Sequence, residues 1–202
     1  MIIIVGCARS GTSLTASVLQ ACGVNFGDVD RLMEHKMVRS QLVRPYLAHI
    51  GCDPRGVNPL TGLNDIVARS EWGFKVTQMI NQPEPWAYKC SKSCHIWPLW
   101  DHHFPKAKWI IVRRAKNQIV NSCLRTPFMR GLNTKEGWEA WVDIHHKRFH
   151  EIAMATTTHC WEVWPEWGLK DPEFWKSLIE WCGLTWDGDE ISKRIDPSLW
   201  HV

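Results

Sequence analysis

Met1-Ile2-Ile3-Ile4-Val5-Gly6-Cys7-Ala8-Arg9-Ser10-Gly11-Thr12-Ser13 decides how this chain is read. Ile2 to Val5 is an uncharged, β-branched run, the composition of a buried strand. A loop bounded by Gly6 and Gly11 follows at once. Leu14, Val18, Leu19 and Cys22 then recur at helical spacing until Gly23 stops the helix. Strand, glycine-bounded loop and helix together aim backbone N–H groups and a helix N-terminus at one point, the geometry that holds a phosphate. The triphosphatase version of this loop ends in Gly-Lys-Ser/Thr, with Lys on the β/γ-phosphates and the hydroxyl on Mg²⁺. Here Thr12 follows the second glycine and the cation stands earlier, at Arg9. The loop Gly6 to Ser13 therefore predicts an anionic nucleotide held without the ATPase metal arrangement.

Outward from the loop, strands alternate with helices. Val24-Asn25-Phe26 reads as a short strand or extended turn, and Leu32 to Ile50 as a helix that Pro45 breaks or kinks. Gly51 to Gly62 is a loop by its Gly, Pro and Asn content, and Asp65 to Asn81 has helical contacts. Trp86 to Cys90 is a short strand, Ile96 to Phe104 a helix, and Lys108 to Val112 the clearest strand after the first. Asn117 to Leu124 and Gly137 to Thr156 are helical, and Cys160 to Trp164 is the last strand. Asp171-Pro172-Glu173 opens the final helix with an N-cap, a first-turn proline and a first-turn acid, and Gly183 ends it. The alternation implies an α/β fold with a mainly parallel sheet flanked by helices, in one domain over residues 1–202.

Ligands in such sheets sit beyond the carboxyl ends of the strands. Arg9, Lys89 and the pair Arg113-Arg114 all fall there. A kinase is expected to carry an Asp for Mg²⁺ at such a strand end. These ends carry cations instead.

The string Gly-x-x-Arg-Ser-Gly-Thr-Ser at 6–13 resembles the 5′-phosphosulfate loop of sulfotransferases, enzymes that use 3′-phosphoadenosine-5′-phosphosulfate (PAPS). The segment Trp109 to Ser122 is similar to the family's second motif, a strand ending in Arg with a Ser eight residues on, which holds the 3′-phosphate. Arg114 and Ser122 have that spacing, whereas Arg113 sits better as the first residue after the strand; both arginines stay candidates, with Arg114 preferred. Tyr88-Lys89-Cys90-Ser91 followed by Phe104-Pro105-Lys106-Ala107 is similar to a bacterial pattern of Lys-Asp-Pro, helix and Phe-Pro-Asp-Ala, with Cys90-Ser91 in place of Asp-Pro. Met33-Glu34-His35 stands 25 residues beyond Arg9, where heparan-type members place a catalytic Glu. Asp171-Pro172-Glu173 through Leu184 is similar to the family's C-terminal helix.

The resemblance spans Met1 to Leu184 and implies a three-layer, P-loop-type fold and a small soluble member of bacterial or viral type. It implies transfer of a sulfuryl group from PAPS to a hydroxyl or amine, leaving 3′-phosphoadenosine-5′-phosphate (PAP). On that reading Gly6, Cys7, Ala8, Arg9, Ser10, Gly11, Thr12 and Ser13 cradle the 5′-phosphosulfate, and Arg113 or Arg114 with Ser122 holds the 3′-phosphate. Arg9 and Lys89 neutralise the leaving group. Glu34 first, or His35, takes the acceptor's proton. Two other classes stay open: a nucleotide kinase with a degenerate loop, and a catalytically silent nucleotide-binding protein of the same fold.

Composition adds limits. The charged fraction of 22% and hydrophobic fraction of 45% are ordinary globular values, and a net charge of +3 is too small to argue for nucleic acid or membrane. The expected partner is a small-molecule or carbohydrate acceptor. Eight scattered cysteines, several inside apolar runs, read as reduced thiols. With a first apolar run of only five residues and no basic segment before it, a cytoplasmic protein without leader or anchor is expected. Fourteen tryptophans read mainly as packing. Cys90-x₃-Cys94-His95 and a scatter of histidines show no second ligand pair at zinc spacing, so no metal is expected.

Overall fold

Residues 1–58, 70–80, 82–129, 131–156 and 159–195 are described in the computed structural model of the chain. Four parallel strands form one sheet in the order β2-β1-β3-β4: β1 is Ile2–Gly6, β2 Ala87–Lys89, β3 Lys108–Val112 and β4 Cys160–Val163. Ile4 pairs with Lys89 and Gly6 with Val112, so the carboxyl ends of β2, β1 and β3 lie side by side.

Helices cover both faces, which makes three layers. Ile2 and Ile4 point into a core with α1 (Thr12–Ala21), α8 (Lys176–Cys182) and α9 (Gly188–Arg194). Ile3 and Val5 point into the opposite core. That core also contains residues of α2 (Arg44–His49), α3 (Ser70–Met79), α4 (Trp97–His103), α5 (Lys116–Arg125) and α6 (Lys135–Ala155). A short α7 (Pro165–Gly168) follows β4. Strand residues point alternately to the two faces, and with both faces covered the first strand has no polar position. Ile3, Ile4 and Val5 are fully buried, each worth about 1.5–3 kcal/mol of transfer free energy. Tryptophan serves mainly as packing, with Trp100, Trp109, Trp138 and Trp175 among the largest fully buried side chains.

Three expectations are corrected. The helix expected from Leu32 does not begin there. Residues 29–35 instead form a tight turn closed by an antiparallel bridge between Val29 and His35, with the Asp30 N–H bonded to Glu34 O and the Met33 N–H to Asp30 O. Asp30 drives this, since its carboxylate accepts from the N–H groups of Leu32 and Glu34 and outcompetes helical pairing. Further on, Pro45 does not break the helix, which runs on through it to His49. A π-helical turn, Val38–Val43, precedes it, and the Arg44 N–H reaches back five residues to Arg39 O. The wider turn admits a proline that has no N–H to give. Third, the helix capped by Asp171 starts as a 3₁₀ turn, Pro172–Trp175, and α9 follows it. Asp187 caps α9 by accepting from the Glu190 N–H.

Elsewhere the expected elements stand with shifted ends. Val24 to Phe26 makes a single parallel bridge, Asn25 to Trp86. Ser91–Ile96 is a 3₁₀ turn leading into α4. The expected segments 59–69 and 81 fall outside the described residues. None of the eight cysteines is in a disulfide, and among the described residues no helix is long and apolar enough to cross a membrane.

Candidate functional site

A cavity of about 430 Å³ opens at the carboxyl ends of β1, β2 and β3, walled by the 8–14 loop and first turn of α1, the 31–34 turn, Lys89, Arg114 and Arg194. Five cations line it, Arg9, Arg31, Lys89, Arg114 and Arg194, against one carboxylate, Glu34. Such a cavity concentrates anions.

The loop is held by its own side chains. Ser10 Oγ donates to Cys7 O at 2.7 Å, and Ser10 is fully buried. Cys7 turns into the core below the loop, where burial pushes its thiol pKa up. Gly6, Cys7 and Ser10 thus shape the loop, while Ala8, Arg9, Gly11, Thr12 and Ser13 line the cavity. Gly6 is dictated by close approach: a Cβ there would sit 2.7 Å from Ser10 Oγ and 2.9 Å from Val112 O. Gly11, at φ 98°, enters α1 in the left-handed region, and no side chain caps the helix. The first-turn N–H groups of α1 are left to a ligand or water, at the positive end of the helix dipole.

Arg9 is strained, with φ 71° in the left-handed region, as is Met33 of the facing turn at φ 61°. Two contacts hold Arg9: Arg114 donates from NH1 to Arg9 O at 2.8 Å, and Arg9 Nε donates to Ser122 Oγ at 3.0 Å. Arg114 also donates from Nε to Gln118 Oε1. Its burial pushes the guanidinium pKa down; Glu166 works against this, and the nearby Arg9 and Arg125 add to it. An anion in the cavity would relieve that repulsion. Ser122, on α5, reaches the site through Arg9 and is not itself a lining residue.

Arg113 takes the opposite direction. It pairs with Glu162 and lies over the Phe149 ring at 5.1 Å. Consecutive residues leaving a strand point to opposite sides, so one of the two arginines had to face away.

Lys89 ends β2, almost wholly buried. Its ammonium donates to Leu32 O at 2.7 Å and to Ser13 Oγ at 3.5 Å, and lies 3.9 Å from Glu34 Oε1. Burial pushes its pKa down, and the Glu34 carboxylate works the other way. Glu34 Oε2 is 3.4 Å from Arg39 NH1 and 3.9 Å from Lys92 Nζ. Glu34 therefore stands at the cavity wall among three cations. His35 does not reach the cavity. Its Nδ1 accepts from the Val38 N–H at 3.4 Å and its ring packs beside Gly27. Burial pushes its pKa down, against the pull of Asp28.

The fold thus gathers Arg9, Glu34, Lys89, Arg114 and Ser122, and separates Arg113 and His35 from them. It also adds residues that sequence reasoning missed. Arg31, Phe128 and Arg194 form the outer wall, with the Arg31 guanidinium 6.0 Å from the Phe128 ring. The signal for Arg194 was present in Asp187-Gly188-Asp189-Glu190, which has the spacing of a helix-capping box. Arg31 and Phe128 carried no such signal. No protein-family model and no curated protein matches this chain.

Proposed function

We propose that this protein is a PAPS-dependent sulfotransferase. One observation carries the reading: Arg9, Lys89 and Arg114, from the ends of three adjacent strands, converge with the uncapped N-terminus of α1 on one cavity. That is a donor set for a nucleotide with phosphates at both ends. The loop N–H groups and Arg9 would hold the 5′-phosphosulfate, and Arg114 the 3′-phosphate, with Ser122 acting through the Arg9 guanidinium it holds. Glu34 would take the proton of an acceptor hydroxyl as that oxygen forms its bond to sulfur. The bond from sulfur to the bridging phosphate oxygen breaks in line, and its electron pair leaves with PAP. Arg9 and Lys89 would neutralise the charge that develops there.

The ends of the adjacent strands β1, β2 and β3 present Gly6, Lys89 and Arg113-Arg114, with no carboxylate in the position a kinase uses for Mg²⁺. The acceptor class we infer is a small molecule or carbohydrate, and the location cytoplasmic, a reading that eight cysteines outside any disulfide support. A second reading has its own support. Glu34 is engaged by Lys89, Lys92 and Arg39, so both of its oxygens already face cations of the protein. That favours a nucleotide-binding protein without transfer activity.

Calorimetric titration with PAP, ATP and 5′-AMP, each with and without Mg²⁺, tests the proposal. Metal-independent micromolar binding of PAP, abolished in Arg9→Ala and weakened in Ser122→Ala, is the expected result. Binding of ATP only, and only with Mg²⁺, would overturn it. Sulfuryl transfer from labelled PAPS across an acceptor panel then separates enzyme from silent binder.

A further inference from the structure

A second cluster of chemistry-bearing side chains lies outside the cavity. Cys94 and His95, on the 3₁₀ turn Ser91–Ile96, meet His145 of α6 in the core. One ligand atom from each lies within 4.8 Å of the other two, and all three residues are at most 1% exposed. His145 Nδ1 is 2.8 Å from Trp141 O. A carbonyl only accepts, so Nδ1 carries the proton and Nε2 keeps its lone pair. A partner that fixes the imidazole in this way is the usual support of a metal-binding histidine. Cys94 Sγ is 3.9 Å from His95 Nδ1, and His95 Nε2 is buried with no hydrogen-bond partner.

We propose that Cys94, His95 and His145 form a closed site for one soft monovalent cation, Cu(I). Ligand type, count and charge each point there. Thiolate with imidazole selects copper or zinc over hard cations. Metal–ligand bonds of about 2.0–2.3 Å place three donors roughly 3.5 Å apart, so the donors need to close by about an ångström. Among the described residues the cluster has three donors and no fourth, whereas structural zinc takes four. Charge decides between the two ions. Binding removes the Cys94 proton and adds the metal, so Cu(I) leaves the buried charge unchanged while Zn(II) adds one positive charge. The charged groups that bear on the cluster are Arg148 and Lys92, both cations. Arg148 is itself buried and is paired with Glu151 at 2.8 Å. An added positive charge there is costly. The bound ion would tie the turn bearing Ser91 and Lys92 to α6, and so fix Lys92, 3.9 Å from the Glu34 carboxylate, and Ser91 of the cavity wall.

The test is anaerobic titration of the whole metal-free protein with Cu(I) against a chromogenic chelator, a parallel Zn(II) titration, and X-ray absorption at the copper edge of the one-to-one complex. One sulfur and two nitrogens around copper, one proton released, and a higher unfolding temperature are expected. Cys94→Ala and His145→Gln should lose that equivalent, while His146→Gln, on the same helix, keeps it. A copper shell of two or more sulfurs in the wild type would overturn the site whether or not the variants fold. Zinc bound through the same three residues, with copper left to other thiols, would overturn the charge argument.

Discussion

Replacing Gly6 by Ala probes whether the loop is shaped as tightly as the structure requires. The added methyl would sit 2.7 Å from Ser10 Oγ, 2.7 Å from Thr12 Cγ2 and 2.9 Å from Val112 O. Ordinary contact begins near 3.4 Å, so the neighbours must retreat by about 0.5–0.7 Å. Ser10 could rotate away only by giving up its 2.7 Å bond to Cys7 O. Val112 O is backbone of β3, held in register with Gly6 itself, and has little freedom to move. Overpacking of this kind costs about 1–3 kcal/mol. For a chain of this length each kcal/mol shifts the unfolding midpoint by roughly 2–4 °C, so a fall of about 2–12 °C is expected by calorimetry. The retreat also displaces the loop N–H groups, and PAP binding should weaken at least tenfold, about 1.4 kcal/mol. Gly23→Ala is the control. Its φ of +85° makes alanine strained, yet nothing lies within 4 Å of the added carbon. It should cost about 1–2 kcal/mol through the backbone alone and leave PAP binding unchanged. An unaltered midpoint and affinity in Gly6→Ala would refute the close packing of the loop on β3.

The two adjacent arginines separate cleanly. Arg114→Met should abolish PAP binding, while Arg113→Met, which loses a partly exposed pair with Glu162, should cost about 0–1 kcal/mol of stability and bind PAP normally; equal loss of affinity in both contradicts the placement. Glu34→Gln should eliminate sulfuryl transfer without weakening PAP, since it removes the one carboxylate among the cavity's cations; retained turnover would exclude Glu34 as the base. For Asp30, burial pushes the carboxyl pKa up, but the Glu34 and Leu32 amides and the Arg39 guanidinium outweigh it and hold it below its ordinary value. A carboxyl lowered on folding stabilises above its unfolded pKa of about 3.9 and loses that contribution as pH falls through the lower folded value. Urea midpoints of Asp30→Asn should therefore fall less steeply below pH 4 than those of the wild type; parallel curves would contradict the pairing.

Where the sequence was legible, short-range rules sufficed. Ile2 to Val5 and Trp109 to Val112 are continuous apolar runs because both faces of an interior parallel strand are covered. The failures come from competition that no window of sequence displays. Leu32 to Ile50 keeps helical spacing throughout, yet Asp30 captures the Leu32 and Glu34 amides and holds 29–35 as a turn. That turn, and not a helix, delivers Glu34 to the cavity and points His35 at Val38.

The local chemistry of the chain is therefore written in its order: a glycine-bounded loop after an apolar run, cations where strands end, caps where helices start. These follow from backbone conformation and solvent transfer, which act over a few residues. Which cations meet is decided only when the sheet assembles. Strand order β2-β1-β3 places Lys89 and Arg114 on either side of Arg9. The alternation of a strand sends Arg113 away, and packing of α6 on the 91–96 turn brings His145 to Cys94 and His95. Such pairings join residues far apart in sequence. Their energy comes from burial and charge in three dimensions, which spacing along the chain does not encode.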